Sequence, residues 1–308
     1  IFFIFISSLL TIFNSIFLYF FIAGDKILYA NFLEQILKYS LIIFSILFLI
    51  FFHFSIKVEV LILVYIFANL IITFCFIFST LTIFKLGNLR DKENIQISLK
   101  KYTRYSFIVG LSGIFVILNS KIDILMIEYF LDEIQVSIYG VGVQLAFIAY
   151  MPTIVFAHIL MTKLSSLVKK EKFIQLNITL DIYRSLLVFI NLLIFLIAIF
   201  IVEHLIIFFF GVSYKISDEV FNIIIIGYVI GSIFSFNDIY LNYIGGEKKV
   251  MLMVCFSSIL NILLNLIFIP KLGILGAAIS LSISHVTFNL LTFANNLKNN
   301  YFFISTLK

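Results

Sequence analysis

Runs of about twenty apolar residues follow one another through almost the whole chain, separated only by short polar connections. A helix needs about 20 apolar residues to cross a ~30 Å hydrocarbon core. Inside that core only a segment that bonds all its own backbone groups is tolerated. By that rule the spans lie near 1–23, 36–54, 58–84, 105–130, 138–160, 182–209, 219–243, 249–269 and 274–297. The expected fold is an all-α polytopic membrane protein with nine transmembrane helices. Of the 308 residues, 63% are hydrophobic and 12% charged, against roughly half and about a quarter in soluble domains.

Charge sets the orientation. With the first connection in the cytoplasm, that side collects seventeen of the Lys and Arg residues, and the other keeps Lys57, Lys121, Lys215 and Lys271. Short basic loops stay inside, so the stretch 85–104 and residue 308 are expected to face the cytoplasm of a bacterial inner membrane. The first span then starts outside, which predicts an odd number of spans upstream. The net charge of +5 therefore reports topology and not a nucleic-acid partner. The stretch 85–104, the longest polar one, divides the chain into 1–84 (three spans of an N-terminal bundle), a cytoplasmic linker at 85–104, and a six-helix bundle at 105–308. A short amphipathic helix carrying Ile95, Ile97 and Leu99 is expected in the linker. Cys75 and Cys255 sit in apolar runs and read as buried thiols. No signal-peptide pattern is present.

The connections are too short to hold a catalytic domain. Gly140 and Gly142 make only GxG with no strand before them, and His53, His158, His204 and His285 lie on different spans without ligand spacing. Neither an enzyme, a metal centre nor a cofactor is expected.

Residues 119–167 are the stretch around which the chain is organised. One span ends there with Lys121 and Asp123 set into it, an acidic connection follows at Asp132 and Glu133, and a second span carries Pro152 and His158 before a basic exit at Lys163. Polar groups held inside spans mark a path for something polar. The segment SKIDILMIEYFLDEIQVSIYGVGVQLAFI (120–148), with KLSSL after it, resembles the start of the second half of bacterial polysaccharide flippases. NILLNLIFIPKLGILGAAISLSIS (261–284) resembles the Asn-rich helix, Pro-Gly turn and Gly-Ala-Ala helix of the same family, which belongs to the multidrug, oligosaccharidyl-lipid and polysaccharide exporter superfamily. The chain departs from it at Ala157 and His158, where family members often have Pro; here Pro152 comes earlier.

The resemblance implies two six-helix bundles in a V around a central cavity, with the present spans equivalent to helices four to twelve. It implies export of an undecaprenyl-pyrophosphate-linked oligosaccharide for O-antigen, capsule or another surface polysaccharide. A proton or sodium gradient would drive it, since the chain has no phosphate-binding loop for ATP. The partners implied are the lipid-linked substrate, membrane lipids, a polysaccharide polymerase and chain-length proteins. The alternative is a multidrug or small-solute antiporter of the same superfamily. A polymerase or ligase fits less well, because the outer connections are short.

Several side chains could carry that chemistry. If its span enters near Tyr105, Asp123 lies about 27 Å up the helix, near the outer edge. Lys121 beside it either snorkels to the headgroups or meets the pyrophosphate at the cavity mouth; Arg104 is the second cationic candidate. Asn119, one turn from Asp123, supplies a polar group on the same face. In 219–243, Gly231, Ser235, Asp238 and Asn242 form one polar stripe, and Gly227 with Gly231 makes a GxxxG approach site. Asp238, at membrane depth, is the candidate carrier of a coupling ion. On the last two spans Asn261, Asn265 and Ser280 are either interhelical glue or, with a nearby carboxylate, an oxygen-rich cation site. Counting from the turn sets Asn265 level with Gly276 and Asn261 level with Ser280.

Overall fold

The computed structural model describes residues 2–23, 26, 29–30, 32–52, 58–83, 99–170 and 172–306. These are helical throughout, with no strand among them, and they divide into two compact units, Ile1–Gln96 and Ile97–Lys308. Most of the 85–104 linker, with the amphipathic turn expected at Ile95 and Ile97, lies outside the described residues, and a helix is already established at Leu99.

The first unit comprises α1 (Phe2–Ala23), a π-helical turn Phe32–Leu37 that runs straight into α2 (Lys38–Phe51), and α3 (Val58–Ile83). Phe21, Ala30, Leu33, Ile72 and Phe76 form its apolar centre. Asn14 and Asn69, both fully buried, bond to each other across it, and Thr73 donates to Asn14 Oδ1 at 2.7 Å. One of the seventeen basic residues counted to the cytoplasmic side lies inside the bundle. Lys38 belongs to no cytoplasmic loop: it is 3% exposed and bonded to Glu34 at 2.8 Å. Its neighbours on the chain are apolar enough to be drawn into the bundle, and Glu34 one turn back supplies the counter-charge. The bias of the remaining basic residues survives its removal.

The second unit holds α4 (Leu99–Phe130), α5 (Glu133–Lys169), α6 (Phe173–Phe210), α7 (Ser217–Ser232), the short α8 (Asn237–Tyr243), α9 (Glu247–Leu272) and α10 (Ile274–Thr306). Local chemistry places several of the boundaries. Asp132 caps α5 by accepting from the Gln135 N–H at 2.7 Å, and Glu133 adds negative charge to the first turn. The helix continues through Pro152 to Lys169. Gly211, with φ 90°, ends α6 in a conformation that costs glycine little. Gly273, with φ 62°, is the single residue between α9 and α10.

Among the described residues seven helices are long and apolar enough to cross a membrane, Phe5–Leu18 is a shorter apolar stretch, and Val212–Ser232 with Asn237–Tyr243 qualifies only as a pair, bent by 48°. The described residues thus give seven or, with the bent pair, eight of the nine expected spans; the first is a shorter apolar helix and the one at 219–243 is broken. Small residues let the last helices approach. A Cβ on Gly227 would lie 2.7 Å from that of Ser282, and one on Gly231 2.8 Å from the His285 ring, so α7 packs closely on α10.

Candidate functional site

Asp123, on α4, is 1% exposed and sits among three helices of the second unit. Tyr139 of α5 donates its hydroxyl to Oδ2 at 3.0 Å. Asn265 of α9 donates to Oδ1 at 2.6 Å and to Asn261 Oδ1 at 3.0 Å. Asn261 in turn donates to Ser284 Oγ of α10 at 3.3 Å, and Ser257 Oγ donates to the Ser284 carbonyl at 2.6 Å. Asn265 Oδ1 is buried with no partner among the described residues.

Asp123 is therefore not the shallow, easily hydrated group expected. The apolar stretch of α4 runs Phe107–Phe130, which puts Asp123 about 10 Å inside its far end. The carboxylate that Asn261 and Asn265 find beside them is Asp123, and the fold makes the three one cluster. Lys121 is exposed. Two residues along a helix is about 200° of rotation, so it leaves on the opposite face from Asp123. Arg104 falls in the early turns of α4, and its side chain lies outside what the structure describes.

The pairing of α9 with α10 is shifted by one turn from expectation. Asn261 meets Ser284, not Ser280, because only Gly273 separates the helices and the turn pivots later than IPKLG suggests. Ser280, fully buried, donates to the Gly276 carbonyl one turn back.

Asp238 lies elsewhere. The stripe expected through Gly231, Ser235, Asp238 and Asn242 is interrupted between Ser232 and Asn237. Ser232 and Ser235 turn their hydroxyls onto the backbone at Val229 and Ser232, and Asn237 Nδ2 binds the Phe234 carbonyl at 2.8 Å. Side chains of this kind compete with the helical ladder. Phe236 takes up the left-handed conformation, φ 69°, which is unfavourable for an L-residue. Arg184 of α6 supports the break by reaching the Ser235 carbonyl at 3.4 Å and Asn237 Oδ1 at 3.3 Å. The place of Arg184 near the inner end of its apolar run does not by itself predict this role. The available signal was the Ser232, Ser235 and Asn237 cluster, which marks a backbone needing outside donors.

Beside the break is a cavity of about 320 Å³ lined by Asn119, Thr153, Asp238, Ser257 and His285 among others. Asn119 Oδ1 and Thr153 Oγ1 are buried there without partners among the described residues. Asn119 thus joins Asp238 and not Lys121. Ser257 belongs to both places: it lines the cavity and bonds into the Asp123 cluster through Ser284. The cavity lining thus meets the Asp123 cluster at Ser284, whose main-chain carbonyl takes Ser257 and whose hydroxyl takes Asn261.

No family profile matches the chain, and no curated protein matches it closely. Solved structures do. A MATE protein in complex with MaL6 superimposes with a TM-score of 0.76 at 14% identity, and the outward-facing conformation of a multidrug resistance MATE family transporter of the MOP superfamily with 0.73 at 13%. The lipid II flippase MurJ in its inward closed conformation follows with 0.67 at 16%. Each comparison covers 94% of this chain, but 66% of the two MATE chains and 60% of MurJ. The chain therefore has the helical fold of these exporters over about two thirds of their length.

Proposed function

We propose that the protein is an ion-driven exporter of the bacterial inner membrane that moves an undecaprenyl-pyrophosphate-linked oligosaccharide to the outer leaflet. The observation that carries the transport reading is Asp123: a carboxylate buried in an apolar bundle with a phenol and two amides around it and, among the described residues, no cationic side chain bonded to it. Leaving such a charge uncompensated costs several kcal/mol. A proton or a sodium ion is the natural compensation. The Asp123 oxygens and the unpartnered Asn265 Oδ1 are the hard ligands a small cation needs. Asp238 and the neutral oxygens of the cavity gather the ion, and Ser257, bonded to the Ser284 carbonyl, marks where the cavity meets the Asp123 cluster.

The cargo is supported by the segments 120–148 and 261–284 and by the fold shared with a protein whose name is lipid II flippase. Lys121 is the cation offered to the pyrophosphate. A multidrug antiporter is the second reading, favoured by the higher superposition scores of the MATE proteins. The deciding experiment is deletion of the gene, which should make the lipid-linked repeat unit accumulate on the cytoplasmic side. If the repeat unit is exported normally and sensitivity to organic cations rises instead, the antiporter reading replaces this one.

A further inference from the structure

The first unit holds a second buried carboxylate, compensated in a different way. Glu34 and Lys38 pair at 2.8 Å, with side chains only 10% and 4% exposed. The pair lies deep: Leu41, Phe44 and Phe48 of α2 share a cleft with Phe67, Val64 and Val60 of α3. Carrying that antiparallel register back one turn sets Lys38 opposite about residue 70, halfway along α3 and roughly 20 Å from its inner end. A snorkelling lysine keeps its ammonium in water, and this one does not. Its Nζ lies over the Tyr65 ring at 5.3 Å from the centroid.

Glu34 uses only one of its oxygens. Oε1 takes the ammonium, while Oε2 is buried without a partner among the described residues. The titratable groups facing the pair are Tyr39 and Tyr65, the latter hydrogen-bonded to Thr11 of α1. Among the described residues no second cation adjoins them.

We propose that this is a built-in cation site: the Lys38 ammonium, tethered by its own chain, fills the place on Glu34 that an exchangeable monovalent cation would otherwise take. The first unit then holds a compensated carboxylate at membrane depth without needing sodium, whereas Asp123 in the second unit needs an ion from outside. The inference concerns a different unit and does not rest on the role given to Asp123.

Removing the lysine tests it. Thermal stability of the purified full-length protein is measured in the Asp123→Asn background, which silences the other site, with sodium or methylammonium added and choline as the inert control. The parent background should not respond. Adding Lys38→Ala should create a response, a rise of about 5 °C in Tm at a hundredfold excess over Kd. Adding Glu34→Gln to that variant should abolish it. A stable Lys38→Ala variant that ignores both cations overturns the proposal. So does one that stays unstable in every cation while the neutral Glu34→Gln/Lys38→Ala pair is stable. If the Asp123→Asn parent itself still responds to sodium, the role of Asp123 fails, and the Lys38 result is still read as a difference.

Discussion

Asn265 reaches across 142 positions of sequence to donate its amide to Asp123 Oδ1 at 2.6 Å, and its own Oδ1 is left buried and unpartnered. The Asn265 amide holds the carboxylate with its N–H and leaves an oxygen beside it, which under the proposed function is a ligand for the ion.

Asp123→Asn keeps the volume and removes the charge. The variant should insert at normal levels and lose transport by at least about tenfold, together with its dependence on sodium and pH; tenfold corresponds to about 1.4 kcal/mol of coupling. Export of the lipid-linked substrate in proteoliposomes with an imposed gradient measures this. A variant that flips at the normal rate with normal ion dependence would return Asp123 to a packing role.

Asp238→Asn should behave differently. If Asp238 concentrates the ion in the cavity without being its final ligand, the half-saturating sodium or proton concentration rises by roughly tenfold while the maximal rate survives. Complete loss of ion dependence would move the coupling site from Asp123 to Asp238.

Arg184→Gln removes the charged donor from the break between α7 and α8. The loss should be about 1.5–3 kcal/mol, the range for hydrogen bonds to charged groups, read as a fall in Tm. Lysine should not rescue it, because one point charge cannot serve the Ser235 carbonyl and the Asn237 amide in the fork geometry of a guanidinium. Unchanged Tm in Arg184→Gln would mean that the break holds itself.

Lys121→Ala should reduce surface polysaccharide severalfold without reducing the amount of protein in the membrane, since the side chain is exposed. Normal polysaccharide in that variant would leave Lys121 as an anchor at the outer headgroups.

Orientation is tested by labelling in intact cells after Cys75 and Cys255 are replaced. Asn94→Cys should resist a membrane-impermeant thiol reagent and Ile216→Cys should react, as the positive-inside bias requires. The reverse pattern would invert the topology.

Much of this protein could be read along the chain. Hydrophobic length alone located the helices, because a span must satisfy its own backbone and advertises itself locally. It also located Asp123, Asp238, Asn261 and Asn265 as polar groups inside spans. What it could not supply was their company. Asp123 and Asp238 looked like members of separate polar faces at different depths. Only packing decided that Asp123 meets Asn265 and Tyr139, while Asn119 turns to the cavity of Asp238.

Two residues show why. Lys38, four residues beyond a carboxylate at the edge of an apolar run, has the sequence signature of a loop lysine, and only the fold buries it against Glu34 and Tyr65. The break before Asn237 contains neither Gly nor Pro; it persists because Arg184, more than fifty positions away, supplies the donors that the unwound backbone lacks. Helix formation in a membrane is a local demand and is written locally. Compensation of a buried charge or an unpaired carbonyl is met by whichever group the tertiary structure brings within about 3 Å.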